Sequence, residues 1–405
     1  MKYGTRLAVI LGLILGLSGQ ARAAKIAATS GQLQAGMAAK FLYGYSEAEK
    51  NNLYPGEESF ATSLIQLKLD GFVNQHVNYC LDLTSSYDLD SGVGNLNGKS
   101  GPDSFGNIGI RQAYIMFPDL VPYTKVKLGT FFPPFTNYMN RPVYDLDLIF
   151  YPLLNSARFM NTGLYPKPQR TALDLGPDQQ TGFNFDIQLP AMIKMDLGLY
   201  NGMMPTNFPN QNPHPAMAAN VVFTFMPTPE LSLAMAGWSE EFNQAFPGMS
   251  PGAKRNLTSW YFFGSYQTDT LSVAADYAQG MVPEGQLDEN GKFANLGFMS
   301  WQVTVAYRIR PDLSAAVRYE EIDPNTVDNL QVPGSLYDKS SWLTLGMNYR
   351  LVPQAEVAVN YIFKKEWAHP IDAGDPSENP LLNGGDMQYT AQKNDLLLVQ
   401  FQIWK

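Results

Sequence analysis

The sequence predicts an all-β fold: a transmembrane antiparallel up-and-down β-barrel of about sixteen strands, with a long third loop folded inward. Two observations predict the wall. Apolar and polar residues alternate with period two in one segment after another, and the connections between segments are short and long by turns. A third observation predicts the inner loop: one connection, 134–179, is far longer than the rest and carries an apolar run.

The alternation is clearest at 180–189, where Phe183, Phe185, Ile187 and Leu189 share one face and Asn184, Asp186 and Gln188 the other. At 301–309, Trp301, Val303, Val305, Tyr307 and Ile309 alternate with Gln302, Thr304 and Arg308. At 355–364, Val357, Val359, Tyr361 and Phe363 oppose Glu356, Asn360 and Lys364. Successive strand side chains point to opposite faces, so each segment has one apolar and one polar side. Strands are expected near 32–45, 60–71, 77–87, 107–117, 124–133, 180–189, 192–201, 216–226, 230–240, 256–267, 270–280, 297–309, 312–322, 339–350, 355–366 and 393–404. Most run about ten to thirteen residues. A sandwich strand has about five or six, whereas a tilted membrane strand needs about 9–11.

The connections set the topology. Short ones are Pro190-Ala191, Pro227 to Pro229, Thr268-Asp269, Arg310-Pro311 and Leu351 to Gln354, and long polar ones are 88–106, 202–215, 281–296, 323–338 and 367–392. Short periplasmic turns and long outer loops characterise bacterial outer-membrane barrels. Pro227, Pro229, Pro311 and Pro353 fall between strands, as expected of a residue that cannot donate to a ladder.

The first residues read as an export signal, 1–23: Lys2 and Arg6, the apolar run Leu7 to Leu17, then Ala21-Arg22-Ala23 for cleavage. The run is too short for a membrane helix, which needs about 20 residues. The barrel is assigned to 24–405 and placed in the bacterial outer membrane, with lipid as its first partner. Lys2, Arg6 and Arg22 are the only charges of the signal, so their loss takes the net charge from −9 to −12 and argues against nucleic-acid binding. Cys80 is the only cysteine, so no intrachain disulfide, zinc spacing or haem-attachment motif exists, and neither metal nor cofactor is expected. His76, His214 and His369 stand apart from any serine motif such as GxSxG, and no enzymatic role is expected.

A 46-residue gap in a compact domain calls for a functional reason. Segment 134–179 holds Arg141, Asp145, Asp147, Arg158 and Arg170 and the apolar run Leu146 to Leu154. An apolar piece needs a surface to pack on, and in a barrel that surface is the inner wall. The segment is therefore a candidate constriction loop, with a solvated outer loop as the alternative.

Three stretches carry a family resemblance: RQAYIMFPDLVPYTKVKLGTFFPPF (111–135), LGLYNG (197–202) and QFQIW (400–404). They resemble the phosphate-selective porin O and P family. The resemblance implies a sixteen-stranded trimeric porin with an inward third loop, passing small hydrophilic solutes or inorganic anions.

Charged strand residues should point away from lipid, since Lys or Arg at the bilayer midplane costs about 2–4 kcal/mol. The basic candidates for the pore wall are Lys40, Lys68, Arg111, Lys125, Lys127, Lys194, Arg308, Arg318, Arg350 and Lys364. The acidic ones are Asp70, Asp82, Asp186, Asp196, Asp276, Glu320 and Glu356. A mildly basic wall implies weak anion preference; pairing of the two signs implies none. Tyr43, Tyr45, Tyr200 and Trp404 are expected at the bilayer edges. An alternative function is the barrel sheath of a porin–cytochrome electron-transfer complex, with a periplasmic or extracellular cytochrome threading the bore.

Overall fold

The structure is a computed structural model and describes residues 26–28, 31–46, 58–85, 109–135, 146–149, 152, 180–190, 192–201, 217–242, 255–287, 293–323, 326, 340–368, 390–392 and 395–404. The expected signal, and Arg141, Asp145, Arg158 and Arg170, lie outside these residues.

Among the described residues, eighteen strand segments follow in chain order: β1 (Ile26–Ala28), β2 (Gly31–Ser46), β3 (Glu58–Asn74), β4 (Val77–Ser85), β5 (Gly109–Val121), β6 (Thr124–Phe131), β7 (Gln180–Leu189), β8 (Ile193–Tyr200), β9 (Ala218–Phe225), β10 (Leu231–Phe242), β11 (Arg255–Gln267), β12 (Leu271–Leu287), β13 (Phe293–Arg310), β14 (Leu313–Asp323), β15 (Ser340–Val352), β16 (Ala355–Ala368), β17 (Thr390–Gln392) and β18 (Leu396–Trp404). Sixteen of them, β2 to β16 and β18, form the wall. Sequential neighbours pair antiparallel, and β18 pairs with β2 from Leu396↔Ser46 to Trp404↔Ala38, which closes the barrel. The fold class expected from the alternation is the fold observed.

The two short segments complete lanes of the wall. β1 pairs with Gly31–Leu33 of β2, continuing the lane that β18 leaves at Ala38. β17 pairs with Glu366–Ala368 of β16, above the stretch of β16 that β18 takes. Just before β18, the Asp395 carboxylate accepts from the Lys364 N–H and from the Tyr361 hydroxyl, each at 3.2 Å. A side chain there satisfies a backbone donor of β16. The strand expected at 393–404 is observed as β18 over 396–404, and the separate segment β17 precedes it. The loop expected at 281–296 is also mostly strand, since β12 and β13 keep pairing up to Leu287↔Phe293 through an irregularity after Val282.

The pleat sorts the side chains. In β14, Arg318, Glu320 and Ile322 are buried on the inner face, while Val317 and Tyr319 are exposed on the outer. In β18, Leu396, Leu398, Gln400 and Gln402 are buried inward. The outer face exposes Met37, Phe41, Leu67, Phe183, Leu199, Phe223, Trp260, Phe262, Val303 and Leu345. A soluble protein rarely exposes so large an apolar band; a closed sheet with every ladder satisfied can present one to hydrocarbon. Near the short turns, exposed Tyr266, Tyr307 and Tyr349 stand opposite Leu231, Leu271 and Leu313, giving an aromatic row at one edge of the band. Tyr200 does not join such a girdle: it is buried on the inner face, sharing the parity of Lys194 and Asp196.

Two local devices position the interior. Tyr123 and Met192 take positive φ (61° and 64°) in the tight connections 122–123 and 190–192, where hairpin twist calls for it. Gly129 in β6 has φ 130°, and a Cβ there would collide with the Ala113 carbonyl and the Tyr114 Cα of β5, so only glycine fits this close approach.

Candidate functional site

The candidate site is the inner face. The cross-strand register places Lys68, Asp70, Asp82, Lys125, Lys127, Asp186, Lys194, Asp196, Asp276, Arg308, Arg318, Glu320, Arg350, Glu356, Lys364 and Lys40 on it. Arg111 arrives differently. By strict alternation it would share the outer face with Ala113 and Ile115. The register jumps, however, from Asp82↔Gln112 to Leu83↔Ile110, making Arg111 the extra residue of a bulge, and bulges re-aim side chains. It reaches inward to Asp82, with Nη1–Oδ2 at 3.3 Å.

Opposite charges meet along this face. Lys194 Nζ lies 3.4 Å from Asp186 and 3.1 Å from Asp196. Lys68 pairs with Asp70 at 3.3 Å. Arg318 Nε donates to Glu320 at 2.9 Å in a pair that is almost fully buried. Asp82 also accepts from Gln66 Nε2 at 2.8 and 2.7 Å. Lys40 opposes Gln402, whose amide donates to Glu356 at 2.9 Å. Two lysines lie over rings instead: Lys127 over Tyr114 and Phe131, at 4.6 and 5.0 Å, and Lys364 over Trp342 at 4.6 Å.

An aromatic cluster fills part of the interior. Phe131 packs edge-on against Tyr114 and Tyr200, and Tyr200 stacks on Trp238 at 5.7 Å. Phe135 closes the series against Trp238 and Tyr261, at 5.8 and 5.7 Å. The polar tips are met by acids and amides: Trp238 Nε1 donates to Glu240 at 3.1 Å, and the Tyr261 hydroxyl to Asp276 at 2.8 Å. Gln302 donates to the other Asp276 oxygen. The Tyr200 hydroxyl lies 3.2 Å from the side-chain oxygens of both Asn184 and Asn220.

Phe135 belongs to the long segment after β6. Asp147, Leu148 and Ile149 of that segment also have inner-face neighbours. Leu148 packs with Ala306 and Ala316, Ile149 with Leu42, Ala358, Ile362, Leu396 and Leu398, and the Asp147 carbonyl accepts from Asn348 at 3.1 Å. Pro152 lies with Tyr261, Asp276, Gln302 and Glu320 around a small pocket.

The register and the bulge at Arg111 thus put all ten basic and seven acidic residues singled out in the sequence on one face, with the Asp147 carbonyl against it. Glu240 was missed. It lies two residues from Trp238 and shares its face, so period two carried the signal. With it, ten bases face eight acids among the inner-face residues whose side chains the structure describes. Among those residues no group of three His, Cys, Asp or Glu side chains could hold a metal ion. Sixteen strands enclose a bore wide enough for water. A wall of this kind can solvate ions of either sign and orient them by charge.

Solved structures share this architecture. The outer membrane channel DcaP of Acinetobacter baumannii superposes with a TM-score of 0.61 at 12% identity, over 94% of this chain and 100% of that one. The fold is that of the outer-membrane porins. OmpF of Salmonella typhi, solved in complex with daunomycin, gives 0.60 at 10% identity over 94% and 100% of the two chains. The trimer form of in-vitro folded OmpT of Vibrio cholerae gives 0.55 at 11% identity over 93% and 100%. No family model and no curated protein matches the chain, so its resemblance to the O and P family rests on the three segments quoted above.

Proposed function

We propose that the chain is an outer-membrane porin, exported by residues 1–23 and assembled as a homotrimer, through which small hydrophilic solutes and ions diffuse passively. The observation that carries this reading is the two-faced wall. Its outside is an exposed apolar band and its inside bears charges of both signs around a bore. Segment 134–179 acts as the constriction loop, a role favoured by the inner-face contacts of Phe135, Leu148 and Ile149. Those contacts occupy bore that a cytochrome sheath would need, which sets the channel ahead of the sheath. The small basic excess gives weak preference for anions, phosphate-like ones included, because low-dielectric walls focus field into the water between them.

Planar-bilayer recording of the purified, heat-modifiable protein tests the proposal. Stepwise ohmic openings are expected in groups of three, with a reversal potential of anion-selective sign in a salt gradient. A folded barrel that carries no current would end the open-channel reading, and a cation-selective sign would end the anion preference alone.

A further inference from the structure

The inner wall contains a row built from the smallest side chains. Ala306 of β13 pairs with Ala316 of β14, Ala316 with Gly346 of β15, and Gly346 with Asn360 of β16. All four share the inner face. Glycine weakens a strand interior and often marks a place where something else must approach closely. Here the approaching group is visible. The Cδ2 of Leu148 occupies the space that a Cβ on Gly346 would need, and its side chain packs on Ala306 and Ala316.

Polar groups on both sides of this hollow grip the backbone of the same segment. Asn348, the next inner-face position along β15, donates from Nδ2 to the Asp147 carbonyl at 3.1 Å. Asn360, oriented so that both ends of its carboxamide are satisfied, accepts from the Ile149 N–H at 2.8 Å and donates to the Val359 carbonyl at 3.0 Å. The two peptide groups flanking Leu148 are therefore held by side chains of two adjacent strands. Ile149 is buried in turn among Leu42, Ile362, Leu396 and Leu398. The segment leaves the wall between β6 and β7, yet the contacts of Asp147, Leu148 and Ile149 fall on β13 to β16, β18 and β2, far around the cylinder.

We propose that Ala306, Ala316 and Gly346 are a socket for Leu148, and that this latch, clamped by Asn348 and Asn360, pins residues 146–149 against the wall of the bore and so sets the unit conductance of the pore. The inference rests on the channel reading and names the part of the wall that fixes its aperture. An empty or filled socket leaves the segment held by fewer contacts, and the freed segment yields a wider or flickering opening.

Two measurements separate the latch from the channel. In a Cys80→Ser background, Leu148→Cys with Gly346→Cys brings two thiols within the reach of a disulfide, whose Cβ atoms stand about 3.5–4.5 Å apart. Mild oxidation of the folded barrel is expected to form that bond, seen as a mobility shift that reductant reverses. Gly346→Val, which fills the socket, is expected to raise unit conductance or add flicker while heat modifiability is kept. Leu148→Ser, which empties the socket, should do the same and serves if Gly346→Val does not fold. The oxidised cysteine pair should hold the wild-type conductance. Absence of the crosslink overturns the latch, and so does wild-type conductance in both socket variants. If the wild-type barrel conducts nothing, the channel reading fails and the crosslink alone decides whether the socket holds the segment.

Discussion

Arg318 and Glu320 sit two residues apart on β14, face inward and are almost fully buried, joined at 2.9 Å. A buried ion pair gains little over an apolar pair of the same size, but removing one partner strands the other charge in a low dielectric. Arg318→Met is therefore expected to cost about 3–5 kcal/mol of folding stability. Arg318→Met combined with Glu320→Leu should recover most of that loss. Urea titration of reversible folding into lipid measures both variants, and a double variant no more stable than the single one would show that the pair is not the unit. At this scale some of the interior was legible in the sequence and some was not. Period two sufficed for Arg318, Glu320 and Lys364. For Arg111 it gave the wrong parity; the rule that charge avoids lipid gave the right face, and the physical means is a bulge that no local pattern announces. Tyr200 was misassigned because its place at a strand end outweighed its parity with Asp196, whose face it shares in the buried ring cluster.

Strands carry the membrane argument. Leu345 is exposed on the outer face of β15, between Val317 and Tyr361 on the neighbouring strands. Leu345→Arg is expected to destabilise the barrel by about 2–4 kcal/mol if this position lies near the bilayer midplane, because a guanidinium there faces hydrocarbon. The comparison of folding free energies in lipid checks it; a loss below about 0.5 kcal/mol, the range of ordinary surface changes, would remove this strand from the lipid face. The start of the last strand makes a second test. Asp395→Ala leaves the Lys364 N–H without the carboxylate that accepts from it, so amide exchange at Lys364 should quicken while exchange in the centre of β16 stays slow. Equal protection at Lys364 in both proteins would mean that another acceptor serves. Strand existence and order were read from alternation and loop length, and those are the properties that burial enforces over many residues at once. The strand extensions to Leu287 and from Phe293 were not read, because above the apolar band neither face need be greasy and period two fades.

For the whole molecule the open quantity is the sign of the field in the bore. Ten bases and eight acids among the inner-face side chains that are described nearly cancel, and Lys194 and Lys68 already lie against carboxylates. Lys125 and Lys127 tilt the balance on β6, opposite Asp186 and Asn184. Replacing both with glutamate should swing the reversal potential in a salt gradient from anion-selective toward cation-selective, more at low ionic strength than at high, since screening lengths shrink from about 30 Å at 0.01 M to 3 Å at 1 M. A potential that does not move would take these lysines out of the selectivity determinants. The closing seam has a consequence of a different kind, in time rather than charge. Leu396–Trp404 meets Ala38–Ser46, and Ile26–Ala28 fills the remainder of the same lane, so the pairing that finishes the cylinder joins the most widely separated strands of the wall. Contacts so remote in sequence form slowly. Until they form, a fifteen-ladder sheet carries two bare edges, each a template for another copy. The molecule is thus most exposed to aggregation at its last step, and an escort that covers those edges before insertion would act on the slowest and most hazardous moment of its biogenesis.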